Sequence, residues 1–151
     1  MSFEEEYKKK LVSAEKAAEA VNSGCWVDYG WTTGTPVKVD EAIAKRLPGL
    51  HDVNFRGGIL MWEPEIFKIE EPEKHMTWNS WHMGGFERKA ATRGFGFYCP
   101  LRYSELPRHY MKARPPWMWR YSRWHPWTAT DSLISVPTAA TWKRYARRQR
   151  P

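Results

Sequence analysis

The chain has 151 residues, of which 42% are hydrophobic, and a formal net charge of +7. This length favours one domain, and the composition is typical of a globular rather than a disordered protein. No apolar run approaches the ~20 residues that a transmembrane helix needs, and residues 1–6 are acidic where a signal peptide would be basic. We therefore expect a cytoplasmic protein with no membrane partner.

The positive charge is concentrated at the C-terminal end. Residues 111–151 contain nine of the 24 Lys and Arg residues, one of the 17 Asp and Glu residues, and five of the 10 Trp residues. Residues 1–110 are therefore close to neutral. This distribution predicts a domain over residues 1–110 and a basic tail, rich in Trp, Arg and Pro, over residues 111–151.

Short helices are predicted at the N-terminus. Ser2 can cap a first helical turn, with Glu5 completing a capping box. A second helix is predicted from Ser13, and the Asn-Ser-Gly sequence at residues 22–24 ends it. Small apolar residues form one stripe along this helix, namely Ala14, Ala17, Ala18 and Val21.

A strand, a loop and a helix follow. Residues 25–29 are rich in β formers and predict a strand, and residues 30–36 form a loop rich in Gly and Thr. Asp40 is placed to cap the next helix. Val39, Ile43 and Leu47 share one face of that helix.

Strands and helices continue to alternate up to residue 110. Further strands are predicted at residues 52–62, with an interruption at Gly57-Gly58, and at residues 66–69, 78–81 and 95–99. A helix is predicted over residues 86–92 and ends at Gly94, and Ser104 is placed to cap a last short helix. The alternation predicts an α/β domain with an open, mostly parallel sheet, flanking helices and right-handed crossovers.

Neither the cysteines nor the histidines indicate a metal site. Cys25 and Cys99 are far apart and belong to no Cys-x-x-Cys motif, which argues against zinc and against a disulfide framework. Both lie in apolar, strand-like stretches, so we expect two small buried residues. The five His residues lack metal-ligand spacing.

The loop after the first strand is the main functional signal. Gly30, Gly34 and Pro36 lie between a predicted strand and a predicted helix. Glycines let the backbone approach a ligand closely, and the helix that follows presents free N–H groups. Such a loop can hold a phosphate, a carboxylate or a developing oxyanion. It can equally be a simple tight turn, because it matches neither a dinucleotide-binding motif nor a P-loop.

Four sequence blocks resemble the butyryl-CoA:acetate CoA-transferase group of the acetyl-CoA hydrolase/transferase family. Their order and spacing agree with that family over residues 5–110. The blocks are WVDYGWTTGTP (26–36), DVNFRGGILMW (52–62), TWNSWHMGGFERK (77–89) and FYCPLRYSELP (97–107).

The resemblance implies part of a CoA-transferase N-terminal domain. It implies an enzyme that moves CoA from an acyl-CoA to acetate through a glutamyl-CoA intermediate, with a CoA thioester as substrate and no cofactor. The family's catalytic glutamate lies in the second half of a longer chain, so no catalytic residue is assigned here and the fragment is expected to be inactive alone. A homo-oligomer is compatible with the full-length protein.

The residues implied to bind substrate are those of the loop. They would line the acyl or carboxylate side of the site, and they are Gly30, Trp31, Thr32, Thr33, Gly34, Thr35 and Pro36. Butyryl, propionyl and 4-hydroxybutyryl donors remain open, as do transfer to acetate and hydrolysis by water.

Other polar residues are expected to be structural. Glu63, Glu65 and Glu105 lie at turns or caps. Ser80 and His82 share a strand face, but no third member of a catalytic triad is identifiable. Arg88 and Lys89 are expected on a solvated helix face, with contact to a CoA phosphate as the alternative.

The tail allows two interpretations. Basic residues interleaved with aromatics can bind single-stranded nucleic acid or an anionic membrane, so a small nucleic-acid-binding module is the alternative function. A shifted reading frame explains more. Trp and Met have single codons, and residues 116–128 read in another frame permit VDVAIFQVAPMD, while residues 129–142 permit SHGFFNFGPN. Both resemble the family's next segment. We therefore expect residues after about 112 to be out of frame, irregular and poorly ordered.

Overall fold

The chain forms a five-stranded parallel sheet. The structure, a computed structural model, describes residues 5, 8, 9, 11–106, 108, 109 and 118–120. The strands are β1 (Trp26–Thr32), β2 (Val53–Leu60), β3 (Met76–Ser80), β4 (Gly96–Tyr98) and β5 (Met118–Arg120), in the order β4-β3-β2-β1-β5. All four neighbouring pairs are parallel. The predicted α/β class with an open parallel sheet is therefore confirmed.

Three helices that the structure describes from end to end pack on one face of this sheet. They are α1 (Ala14–Ala18), α2 (Val37–Arg46) and α3 (Gly85–Thr92). Their apolar residues, among them Ala18, Ile43 and Ala90, share one buried core with strand residues of β1, β2 and β3. The Trp78 ring lies at the centre of that core, edge-on to Tyr29 at 5.8 Å and to Phe67 at 5.1 Å between ring centroids. The apolar periodicity of α1 and α2 is thus explained by one shared interface.

The opposite side of the sheet, here called the polar face, carries different residues. The polar face comprises Trp26, Asp28, Asn54, Arg56, Thr77, Asn79 and Phe97. Because β5 lies on the far side of β1 from β2, a right-handed connection from β4 has to cross this face. Cys99, Leu101 and Leu106 follow that path and pack with Trp31 and Trp81.

Several predicted helix boundaries are confirmed. Ser13 caps α1, and its hydroxyl accepts a hydrogen bond from Lys16 N at 3.2 Å. Helix α3 ends at Thr92, before Gly94 (φ 90°), as predicted, whereas α1 ends at Ala18, earlier than the stop predicted at residues 22–24, where Gly24 (φ 76°) is left-handed. The cap predicted at Ser2 lies outside the described residues.

The predicted strand at residues 66–69 is wrong. Residues Glu65–Phe67 form a 3-10 turn instead. Ile66 and Phe67 are adjacent and both fully buried. Neighbouring residues of a strand point to opposite faces, whereas a tight turn can bury both against the helix side of the sheet.

The predicted interruption of β2 is also wrong. The strand continues through Gly57 and Gly58. A Cβ at Gly57 would lie 2.9 Å from the Trp78 ring, and one at Gly58 would lie 3.3 Å from the Trp31 ring. These glycines leave room for two indoles rather than ending the strand.

Two predicted caps are corrected. Helix α2 begins at Val37, directly after Pro36, so Asp40 lies inside its first turn and does not cap it. Residues Tyr103–Glu105 form a 3-10 turn that begins after Arg102 without a side-chain cap, so Ser104 is not a cap either.

The tail is described only in part. Met118–Arg120 forms β5, so the expectation of an irregular tail does not hold for these three residues. The other residues of 111–151 lie outside the described part of the chain, and so does the expectation that they are poorly ordered.

Within the described ranges, no helix is long and apolar enough to cross a bilayer.

Candidate functional site

The loop singled out from the sequence lies at the carboxyl edge of the sheet. Gly30, Trp31 and Thr32 are the last residues of β1, and residues 33–36 lead into α2. The strand order turns around at this point, with β2 on one side of β1 and β5 on the other. In open α/β sheets, ligands bind in the crevice outside the carboxyl ends of the strands where the order reverses.

The backbone of this loop is bent tightly. Gly30 (φ 71°) and Thr32 (φ 47°) are both left-handed, which is unusual for a β-branched residue. Gly34 N donates to Trp31 O at 2.8 Å, and the Thr35 hydroxyl donates to Thr32 O at 3.0 Å. Among the described residues, the Thr33 N–H has no hydrogen-bond acceptor. The loop is therefore a tight turn that also offers a backbone donor.

Apolar and aromatic side chains lie along the same edge. Ile59 and Met61, at the end of β2, are 39% and 55% exposed. The Trp31 ring stands edge-on to His82 at 5.6 Å and to Tyr103 at 5.8 Å between centroids. The Thr33 N–H and these apolar and aromatic side chains therefore lie at the same edge of the sheet.

Asp40, predicted as a helix cap, is a buried carboxylate with partners outside its own helix. Its side chain, 2% exposed, accepts hydrogen bonds from Tyr29 OH at 3.0 Å, Glu65 N at 2.6 Å and Ile66 N at 3.5 Å. Burial raises the pKa of Asp40 to about 6, while the three donors act against that rise. Asp40 therefore joins β1, α2 and the turn that follows β2.

Glu87 is a second buried carboxylate, at a position where no sequence motif indicates a role. It is fully buried on α3, and its Oε1 accepts a hydrogen bond from Leu60 N at 2.7 Å. Its Oε2 has no hydrogen-bond partner among the described residues. Asp40 and Glu87 thus hold the two ends of the connection over residues 60–66. Asp40 lies 25 positions from Glu65 and 26 from Ile66, and Glu87 lies 27 from Leu60, so no local motif could have revealed these backbone contacts.

The other polar candidates are placed as structural residues. The Ser80 hydroxyl, fully buried, donates to the backbone carbonyl of His82 at 2.6 Å, not to its imidazole. Arg88 donates to Met83 O at 2.9 Å, and Glu65 pairs with Lys68 at 2.5 Å. No grouping of three or more His, Cys, Asp or Glu residues suited to a metal ion occurs in the described ranges. Cys25 is buried as predicted, whereas Cys99 is only half-buried.

Comparison with known proteins gives concordant results. Residues 1–113 match the family model of the acetyl-CoA hydrolase/transferase N-terminal domain. The chain is 57% identical over 110 residues to the butyryl-CoA:acetate CoA-transferase of Anaerostipes caccae, covering 73% of this chain and 25% of that protein. It is 43% identical over 103 residues to a probable butyrate:acetyl-CoA coenzyme A-transferase of Syntrophomonas wolfei, covering 68% and 23%.

A solved structure has the same fold. The crystal structure of RipA from Yersinia pestis superposes with a TM-score of 0.61 at 20% identity, covering 72% of this chain and 28% of that one. The chain thus spans about a quarter of the length of the relatives it matches.

Proposed function

The chain belongs to the acetyl-CoA hydrolase/transferase family, whose N-terminal domain its residues 1–113 match, and from this premise we propose that it is the N-terminal part of an acyl-CoA:acetate CoA-transferase of the butyryl-CoA:acetate type. The observation that carries the proposal is the position of the loop over residues 30–36. It lies at the carboxyl edge of β1, where the strand order turns around.

The chemistry of such a transfer needs a carboxylate and an oxyanion site. A glutamate carboxylate attacks the acyl-CoA thioester carbonyl, and the C–S bond breaks to give an acyl-glutamyl anhydride and CoA thiolate. The thiolate attacks the glutamyl carbonyl, which forms a glutamyl-CoA thioester and releases the acyl carboxylate. Acetate then collects CoA by the same two steps in reverse. Each attack creates an oxyanion, which backbone N–H groups can stabilise.

The role proposed for the loop is to hold the acyl or carboxylate oxygen. The Thr33 N–H is directed to no acceptor among the described residues. The exposed side chains of Ile59 and Met61 provide apolar surface at the same edge. A backbone N–H donor and apolar surface at one edge of the sheet suit a thioester carbonyl attached to an alkyl chain.

The catalytic glutamate is proposed to lie outside residues 1–110, in the part of the family's longer chain that this sequence does not match. Glu87 is fully buried and engaged by Leu60 N, Glu65 is paired with Lys68, and Glu105 is exposed on a 3-10 turn. None is joined to the loop by a hydrogen bond in the described structure. We therefore propose that the chain does not turn over substrate alone. We also propose, from the codons permitted for residues 116–142, that residues after about 112 derive from a shifted reading frame.

A chimera tests the proposal. Residues 1–113 of this chain are joined to the remainder of the Anaerostipes caccae transferase, and CoA transfer from butyryl-CoA to acetate is assayed. We expect turnover in the chimera and none in the 151-residue chain. A folded chimera without turnover would refute the proposed function.

Two variants of the chimera test the loop. Thr33→Pro removes the N–H, and we expect it to lower kcat by about 10²-fold, the loss typical of one oxyanion donor. Thr33→Ala keeps the N–H and should lower kcat less than threefold. Equal losses in both variants would show that the Thr33 N–H plays no part in the reaction.

A further inference from the structure

The pairing of β1 with β2 is irregular just before the loop over residues 30–36. Gly58 faces Trp31 and Leu60 faces Thr32, so Ile59 is an extra residue between the two pairs. Such an insertion is a β-bulge, and bulges next to functional sites re-aim the residues around them. Residues 58–60 are called the β2 bulge below.

The β2 bulge holds an unfavourable backbone conformation. Ile59 is left-handed, with φ 48°. A β-branched side chain is crowded by its own backbone in this region, whereas glycine adopts it freely. A strained residue of this kind persists only where the surrounding structure fixes it. The bulge therefore depends on contacts from outside β1 and β2.

Those contacts come from α3 and from the connection that leads into it. Ile59 N donates to His82 O at 3.3 Å, and Leu60 N donates to Glu87 Oε1 at 2.7 Å. The bond to Glu87 is the shorter of the two, and the Glu87 side chain is fully buried, where a hydrogen bond is stronger than at the surface. Because Leu60 also faces Thr32, this bond holds the β2 bulge against the residue that precedes Thr33.

The Glu87 carboxylate is itself closely packed. A Cβ at Gly84, the residue before α3, would lie 2.8 Å from Glu87 Oε2. A Cβ at the neighbouring Gly85 would have no atom within 4 Å. The absence of a side chain at Gly84 therefore leaves the space that the carboxylate occupies, and the pair of glycines offers a matched test of that contact.

We propose that Glu87 is a positioning residue for CoA transfer, acting through the β2 bulge on the Thr33 N–H. The contacts run from the carboxylate to Leu60 N, and from Leu60 to Thr32, next to the donor. Without the carboxylate, Ile59 relaxes towards an extended conformation and Leu60 shifts against Thr32. The Thr33 N–H then moves away from the developing oxyanion. The part in catalysis rests on the proposed function, whereas the effect on the backbone does not.

Kinetics of the chimera test the part in catalysis. Glu87→Leu removes the acceptor, and we expect kcat to fall about tenfold. The KM for butyryl-CoA should change less than about threefold, because a displaced oxyanion donor affects the transition state more than the bound substrate. Glu87→Gln keeps an acceptor and should retain kcat within about threefold. Gly84→Ala crowds the carboxylate and should lower kcat, whereas Gly85→Ala should leave it unchanged.

A second substitution separates positioning from a general loss of stability. Ile59→Gly removes the strain of the β2 bulge, so the bulge no longer depends on Glu87. In the Ile59→Gly background, Glu87→Leu should lower kcat by less than about threefold. An equal loss of kcat in both backgrounds, or equal losses for Glu87→Gln and Glu87→Leu, would overturn the proposal.

Amide hydrogen exchange in the 151-residue chain separates this proposal from the proposed function. In Glu87→Leu, exchange should accelerate at least about tenfold at Leu60 and at Gly34, whose N–H donates to Trp31 O. It should stay unchanged at Asn54, which donates to Cys25 O at the amino ends of β1 and β2.

The two readouts give distinct outcomes. A chimera that does not transfer CoA, together with this exchange pattern, refutes the proposed function and leaves Glu87 as the residue that positions the loop. Equal acceleration at Leu60 and Asn54 shows a global loss of stability and overturns the positioning role.

Discussion

Asp40 predicts a pH dependence of stability that one substitution should remove. The pKa of its carboxyl is raised from 3.8 to about 6, first because the group is buried. A raised pKa means that the folded state favours the neutral form. The contribution of Asp40 to the free energy of unfolding is therefore present below about pH 4 and is lost as the pH rises through about 6. At about 1.36 kcal/mol per pKa unit, the shift from 3.8 to about 6 corresponds to a full loss of about 3 kcal/mol in the free energy of unfolding.

The perturbation is Asp40→Asn, which keeps the shape of the side chain and removes its titration. We expect the free energy of unfolding of the wild type, relative to Asp40→Asn, to fall by about 2.4 kcal/mol between pH 4 and pH 7, because part of the full change lies outside this range. Other groups that titrate in this range cancel in the difference between the two proteins.

Urea unfolding at half-unit pH steps measures the effect. Glu41→Gln, at the next residue of α2, is the control, because Glu41 lies at the surface and pairs with Lys38 at 3.1 Å. That variant should parallel the wild type across the range. Parallel curves for the wild type and Asp40→Asn would show that burial of this carboxyl does not govern its titration.

Two further substitutions test the packing and the buried carboxylates. Gly57→Ala places a Cβ 2.9 Å from the Trp78 ring, so we expect a loss of about 1–3 kcal/mol in urea unfolding, whereas Gly49→Ala, with no atom within 4 Å, should change stability by less than about 1 kcal/mol. Glu87→Leu leaves Leu60 N without its acceptor and should cost about 1–3 kcal/mol. Glu87→Gln retains an acceptor and should cost less, and equal losses would contradict the hydrogen bond described here.

The helices could be predicted because their signals are local. Helix α1 shows its cap at Ser13, its apolar stripe and the turn at Gly24 within about a dozen residues. The loop after β1 was recognisable for the same reason, since a strand and a helix stand directly on either side of it. Such features depend on neighbours in the sequence, and the structure confirms where they lie.

The remaining features depend on partners far along the chain. Ile66 and Phe67 look like part of a strand until the core that buries both of them is known. Asp40 has the sequence position of a cap, and only the approach of Glu65 N and Ile66 N shows its actual contacts. Gly57 resembles an interruption of the strand until the Trp78 ring is seen against it. In each case a contact across the sheet or between elements overrides the local preference.

The pairing of β5 with β1 has a consequence for the chain's solubility. Trp26, Val27 and Asp28 are in register with Met118, Trp119 and Arg120, and a parallel ladder of this kind is made by main-chain atoms. Such a ladder accepts almost any extended segment, whatever its side chains. β5 can therefore shield the amides and carbonyls of β1, which would otherwise be open to added strands from neighbouring molecules and to aggregation.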